Sequence, residues 1–398
     1  MGLAQAEAVM AVQLRFFLPR QARRKMKPNP VVLHFTTFGV IRVNEASSNA
    51  KPEVADLERH LFSPFRVKGL ELKNRVVMAP MVQNSVTAKD GKPNEWHYVH
   101  YLSRAIGGVG LIIMEMTDVE PDGRITDADL GLWSDEHIPA FARIIDGVHA
   151  HGAKIGIQIA HAGRKAEDAA RPVAPSAIAY PGPGFRVPHA LTADEIERIV
   201  RLFADAARRA VEAGADMIEL HGAHGYLIHQ FHSTLTNQRD DAYGKDLALF
   251  GVRVIQAVKK ELPQDMPLFF RISAVEYADG GYDLDHAIRL CEVYRDAGVD
   301  VFHITSGGEG PAGRRKPGNY PGFQVPFARK IKEALDVPVV AVGMLEDPIL
   351  ADAVIRNGDA DLVAIARGLL RDPHWALNAA VALKQQPSVP KQYVRAYP

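Results

Sequence analysis

The strongest constraint on the fold of this chain is a repeated phrase. A helical stretch ends in Gly, an Asp or a small residue follows, and an apolar, β-branched run begins. Ala213-Gly-Ala-Asp-Met-Ile-Glu-Leu220 and Ala297-Gly-Val-Asp-Val-Phe-His-Ile304 are near copies, and Asn357-Gly-Asp-Ala-Asp-Leu-Val-Ala-Ile365 is a third version. Gly supplies the left-handed cap that ends each helix, and the chain turns straight into a strand. Eight strand runs can be read: 75–79, 109–116, 154–160, 215–220, 267–272, 299–305, 337–343 and 361–366. They are short and apolar nearly throughout, as parallel strands covered on both faces are. Helical periodicity fills the gaps. The segment opening at Thr192 carries a capping box with Glu195 and places Ile196, Ile199, Val200 and Phe203 on one face. Eight strand–helix units predict an α/β fold of the (β/α)8 TIM-barrel type rather than a doubly wound sheet, because no reversal of strand order is needed. Residues 65–74 read as an N-terminal capping hairpin over the lower mouth of the barrel.

The chain has 398 residues, enough for one barrel of about 250 residues with insertions. The barrel with its C-terminal tail is expected over 61–398. Residues 1–60 form an extension that is basic at its start, with seven Lys/Arg and one acid, Glu7, before residue 45. A disordered extension and an organellar targeting segment are both open readings of it. Lys+Arg and Asp+Glu are both 47, so no nucleic-acid or membrane partner is expected. No apolar run reaches the roughly 18 residues that span a bilayer. The single cysteine, Cys291, excludes a disulfide framework, a zinc knuckle and an iron–sulfur cluster, and suits a reducing, cytoplasmic compartment.

Barrel enzymes place their chemistry at the C-terminal ends of the strands. Gly343 and Arg367 close the last two strand runs, where barrels often bind phosphate through backbone N–H groups and an Arg fork. Gln158 and Arg271 interrupt otherwise apolar strands. An amide offers a donor and an acceptor, and a buried Arg needs a partner charge, so each fits either a structural role or a flavin edge. His221, His224, His229 and His232 fall within twelve residues. They fit a hydrogen-bonding pair, or a metal-dependent hydrolase or aldolase with Glu219 or His161 as a further ligand. Tyr226, two residues after His224, suits proton delivery beside a polarised carbonyl.

Ala79-Pro-Met81, Gly156-Ile-Gln-Ile-Ala-His-Ala-Gly-Arg-Lys165, Ala174-Pro-Ser176, His221-Gly-Ala-His-Gly-Tyr-Leu-Ile-His229 and Ala366-Arg-Gly-Leu-Leu-Arg-Asp-Pro373 resemble the Old Yellow Enzyme family, and most closely its thermophilic-like ene-reductase subclass. The resemblance covers 61–398. It implies a barrel holding FMN through Pro80, Met81, Val82, Met116, Gln158, Arg271, Gly343 and Arg367. It implies that His221 and His224 bind the carbonyl oxygen of the substrate, or the nicotinamide carboxamide, and that Tyr226 is the proton donor. The tail Gln392-Tyr-Val-Arg395 resembles one whose Arg reaches a neighbouring subunit's site, which implies a substrate-binding role for Arg395 in a homodimer or homotetramer. The implied activity is ping-pong reduction of an α,β-unsaturated carbonyl compound, with NADPH or NADH as hydride donor. No Gly-x-Gly-x-x-Gly follows a strand, so no separate Rossmann site is expected.

Two positions depart from the resemblance. Val82 and Asn84 stand where the subclass has Cys and Tyr, which predicts a shifted flavin potential. The segment Lys245-Asp-Leu-Ala-Leu-Phe250 also differs, with weakened local packing or an altered adjoining loop expected. Flavin barrels that modify tRNA need an acidic Cys at the site, and the dienoyl-CoA reductases of this family need an iron–sulfur cluster. Cys291 alone supplies neither.

Overall fold

The structure, a computed structural model, describes residues 59–314 and 316–397. Nearly all of the 1–60 extension therefore lies outside the described residues, and with it the targeting reading. The strands are β1 (Phe65–Val67), β2 (Leu70–Leu72), β3 (Val76–Met78), β4 (Leu111–Asp118), β5 (Leu130–Gly131), β6 (Lys154–Ala160), β7 (Val173–Ala174), β8 (His189–Ala190), β9 (Met217–Gly222), β10 (Leu268–Ser273), β11 (Val301–Thr305), β12 (Val339–Ala341) and β13 (Leu362–Ile365). Eight of them form a closed parallel barrel in the order β3, β4, β6, β9, β10, β11, β12, β13, and β13 pairs with β3 again. All eight strand runs of the sequence are barrel strands, in order. Helices follow them: α1 (Glu95–Ile106), α2 (Ile138–Ala150), α3 (Ala193–Glu212), α4 (Leu227–His232), α5 (Ala242–Lys245), α6 (Leu249–Glu261), α7 (Leu284–Ala297), α8 (Val325–Leu335), α9 (Pro348–Arg356), α10 (Arg367–Arg371) and α11 (Trp375–Ala382).

The repeated Gly and Asp have separate tasks. Gly298 caps α7 at φ 119°, and Gly214 and Gly358 take φ 93° and 75° just past α3 and α9. The Asp that follows accepts a backbone N–H near the start of a neighbouring strand: Asp216 from Ile155, Asp300 from Leu268 and Asp361 from Val339, at 2.8–2.9 Å. Each such bond satisfies a strand-end donor that would otherwise be buried without a partner. The capping box at Thr192 is present, with Glu195 closing it.

Side chains along the strands alternate between the helix layer and the barrel interior. The lower interior is apolar: Val77, Leu111, Ile113, Met217, Phe269, Val301, Val340 and Leu362 pack together there. The β1–β2 hairpin adds Phe65, Leu70 and Leu72 to this cluster, so it plugs the lower mouth. Each such side chain, fully buried, contributes roughly 1.5–3 kcal/mol of transfer free energy. The altered segment after Gly244 packs well, against the expectation of weakness. Phe250 is fully buried and stacks on Phe231 with ring centroids 4.2 Å apart.

Candidate active site

One step up the barrel the interior turns polar. The inward positions above Met217 are Glu219 and His221. Above Phe269 comes Arg271, above Val301 comes His303, and Gln158 projects from β6. Gln158 Nε2 donates to Glu219 Oε1 at 2.7 Å, and His303 Nδ1 donates to Glu219 Oε2 at 2.8 Å. Arg271 lies beside both His221 and His303 in the strand register. It is buried, and its Nε has no hydrogen-bond partner among the described residues. Burial holds its pKa below the usual Arg range, and the Glu219 charge opposes that shift.

His221 lies inside β9 rather than beyond it, because the strand runs two residues further than the apolar pattern suggests. The Ala223 N–H donates to His221 Nδ1 at 3.3 Å. An accepting Nδ1 leaves the proton on Nε2, so the ring offers one N–H donor. Its pKa is pushed well below 6.5, first by burial and then by Arg271, so it is neutral. His224 stands just past the strand at φ 58°, a region that non-glycine residues rarely occupy. Three bonds hold it there. Its N–H donates to Ser273 Oγ at 3.1 Å, its carbonyl accepts from Lys165 Nζ at 3.0 Å, and its Nε2 is 3.0 Å from Thr305 Oγ1. Strain fixed by so many partners is typical of a functional position. The two imidazoles and Tyr226 form one group, with centroids 5.2 Å from His221 to His224 and 4.9 Å from His221 to Tyr226. Burial, with the Asp118 charge second, raises the Tyr226 phenol well above its ordinary value of 10.

Tyr226 and Val82 each pack against the buried cluster of Met116, Ala160 and Ala162. Met116 sits at an irregularity of β4, between Met114 and Thr117, that breaks the register with β6. Bulges of this kind re-aim side chains near active sites. Here Glu115 turns onto the segment after β3, accepting the Gln83 N–H at 2.9 Å and the Tyr101 hydroxyl at 2.6 Å. That anchors the stretch holding buried Pro80 and half-buried Met81 and Val82. Asn84 points elsewhere and donates to Asp129 Oδ1 at 2.7 Å.

Gly343 and Arg367 are brought together. Both line a cavity of about 240 Å³ at the ends of β11, β12 and β13, with Thr305, Gln324 and Glu346. Arg367 opens α10 instead of ending a strand. Gly343 has φ 120°, and a Cβ there would stand 2.8 Å from Gln324 Nε2. Arg395 lies in the exposed tail, in a short turn over Val394–Ala396.

The four-His metal arrangement is not assembled. His229 Nδ1 accepts the Gly225 N–H at 3.1 Å, so its Nε2 carries the proton and donates to Glu276 Oε1 at 3.1 Å. His232 Nε2 bonds the Tyr294 hydroxyl, and His161 pairs with Glu120. The one grouping with metal-like spacing among the described residues is His229, Glu276 and Glu309. Its imidazole presents a proton, not a lone pair, to the two carboxylates.

Four further residues had no assigned role in the sequence: Arg164 and Lys165 after β6, Gln324 before α8, and Glu309. Arg164 ties Glu309 to the carbonyls of Ile178 and Ala179. Lys165 Nζ lies 5.0 Å from the Tyr226 ring centroid. The Arg164–Lys165 pair was visible inside a recognised motif. Gln324 and Glu309 sit in loop sequence with no periodic signal.

A closed parallel barrel with a polar upper interior, a glycine- and arginine-lined cavity at its last strands and a His–His–Tyr group beside Arg271 defines a class of flavin oxidoreductases. The model of the NADH:flavin oxidoreductase / NADH oxidase family matches residues 60–386. The chain is 46% identical to the NADPH dehydrogenase of Halalkalibacterium halodurans over 343 residues, 86% of this chain and 100% of that protein. It is also 46% identical over 344 residues to the NADPH dehydrogenase of Bacillus subtilis, again covering 86% and 100%. Among solved structures, morphinone reductase superposes with a TM-score of 0.72 at 28% identity, covering 84% of this chain and 92% of that one. The chain belongs to the NADH:flavin oxidoreductase family, the Old Yellow Enzyme family of the sequence resemblance, and it is an NAD(P)H-dependent flavin oxidoreductase. No helix among the described residues is long and apolar enough to cross a membrane.

Proposed function

We propose that this protein is an ene-reductase of the thermophilic-like subclass, reducing the C=C bond of α,β-unsaturated carbonyl compounds with FMN as its flavin and NADPH or NADH as electron source. The observation that carries the reading is the His221 tautomer, a neutral N–H donor beside His224 and Tyr226. Two imidazoles at one carbonyl oxygen withdraw charge and make the β-carbon electrophilic. The Tyr226 phenol, kept protonated by burial, then has a proton for the α-carbon. The same pair would hold a nicotinamide carboxamide, so both substrates use one site in turn.

The residues present fit FMN. Arg271 has a buried Nε without a partner, Gln158 has an amide oxygen facing away from Glu219, and the Gly343–Arg367 cavity admits a phosphate. Pro80, Met81, Val82, Met116, Gln158, Arg271, Gly343 and Arg367 would hold it. FMN, when bound, supplies the two-electron hydride chemistry. Arg395 of a second subunit would complete the substrate site in a homodimer or homotetramer, and the compartment is cytoplasmic. The test is anaerobic stopped-flow on the purified protein. NADPH should bleach the flavin absorbance, and 2-cyclohexenone should restore it. A reduced protein that no enone reoxidises would overturn the reading.

A further inference from the structure

We propose that Glu219 and His303 are positioning residues for the bound flavin: the carboxylate fixes the orientation of the Gln158 amide and balances the charge of Arg271, with His303 as its second donor. This rests on the FMN reading above. Glu219 is fully buried and accepts on both oxygens, from Gln158 Nε2 and His303 Nδ1. A carboxylate only accepts, so a flipped Gln158 would set two acceptors against each other at 2.7 Å. The amide oxygen is thereby held away from Glu219, and one N–H remains beside it. A ligand then meets a fixed pattern of one acceptor and one donor.

The same logic fixes His303. Its Nδ1 carries the proton, and its Nε2 has no partner among the described residues although the side chain is fully buried. The charges in this layer then count simply. Arg271 is permanently positive. Burial holds His221, His224 and His303 neutral. The Glu219 charge acts directly on Arg271 and opposes the effect of its burial. Without that carboxylate the guanidinium would stand as a buried charge with nothing opposing it here, and negative charge arriving on the ligand would be favoured more strongly.

The experiment is a spectroelectrochemical titration of purified holoenzyme, wild type against Glu219→Gln and His303→Leu, with FMN affinity measured in parallel by fluorescence quenching. Glu219→Gln is expected to raise the reduced-to-oxidised ratio at a fixed potential at least tenfold, which is about 30 mV for a two-electron couple. It is also expected to weaken FMN at least fivefold, because the amide can then flip. His303→Leu leaves the carboxylate with one donor and the Gln158 amide less firmly oriented, and is expected to weaken FMN in the same direction, by less. Should Glu219→Gln not fold, the FMN affinity of His303→Leu decides. Wild-type protein that binds FMN, with variants whose ratio and FMN affinity stay within twofold of it, overturns the inference and leaves the FMN reading standing. Wild-type protein that binds no FMN overturns both.

Discussion

Arg164 donates to the Glu309 carboxylate and to the Glu309 carbonyl oxygen, both at 2.6 Å, and the two side chains are almost fully removed from solvent. The guanidinium also reaches the carbonyls of Ile178 and Ala179. One side chain therefore joins the loop after β6 to the loop after β11, and both loops border the His–His–Tyr group. Arg164→Met leaves Glu309 without its charge partner in a dry site. Breaking a buried pair in this way costs about 3–5 kcal/mol. The variant should lose that much stability in urea titration, and Arg164→Met with Glu309→Gln should lose less than the sum of the singles. Additive losses would mean that the two residues do not act as a pair.

Tyr226→Phe removes the phenolic proton and keeps the ring packed on Met116. Proton delivery of this kind contributes about 10²–10⁴-fold. The reoxidation half-reaction with an enone should slow by at least a hundredfold, while reduction by NADPH changes little. The raised phenol pKa carries a sign as well. The group stays protonated through neutral and mildly alkaline pH, so the wild-type reoxidation rate should not fall between pH 7 and about 10. A decline near pH 8 would assign the proton to another group.

Burial pushes His221, His224 and His232 well below the ordinary imidazole value, and His100 to about 3. A depressed folded-state pKa means that the unfolded chain binds more protons, so stability rises with pH in this range. The contribution is fully present above the unfolded value of about 6.5 and is lost as pH falls below it. Burial raises Asp118, Asp129 and Glu309, and these three carboxyls act in the opposite sense. His60, His137, His286 and His303 are lowered as well, so the depressed imidazoles outnumber the raised carboxyls and Tm should fall on going from pH 7 to pH 5. A Tm that is flat or rising over that interval would show that the carboxyls dominate.

Arg367→Ala takes the charged fork from the cavity it shares with Gly343. Charge-assisted hydrogen bonds contribute about 1.5–3 kcal/mol, so FMN affinity should drop roughly ten- to a hundredfold. Gly343→Ala should reduce it too, by strain at φ 120° and contact with Gln324. Free phosphate at millimolar concentration should compete with FMN in wild type and not in Arg367→Ala. Equal competition in both would place the phosphate elsewhere.

Val82 packs against the Met116 cluster, as Tyr226 does. Val82→Cys adds a thiol where the resemblance expects one, and the flavin midpoint potential should move. Identical potentials for the two proteins would remove Val82 from the tuning of the flavin.

Much of the site could be read in the linear order. The eight strands, the hairpin plug, and the Gly343–Arg367 and His221–Tyr226 groupings follow from periodicity, glycine placement and chain distance past a strand. These are local signals, each read within a strand or from the residues just past its end. What the sequence determined by itself is therefore the barrel, the face that carries the chemistry, and the residue types on it. The tertiary structure decided which polar residues meet. Gln158, Glu219 and His303 come from three strands separated by helices, and strand register alone brings them to one carboxylate. Gly225 and Ala223 donate to imidazole nitrogens only because the turn after β9 folds back on itself, and those two bonds leave the proton of His229 and of His221 on Nε2. Hydrogen-bond direction depends on which backbone donor occupies each ring nitrogen, and that is a property of three-dimensional placement with no counterpart in spacing along the chain.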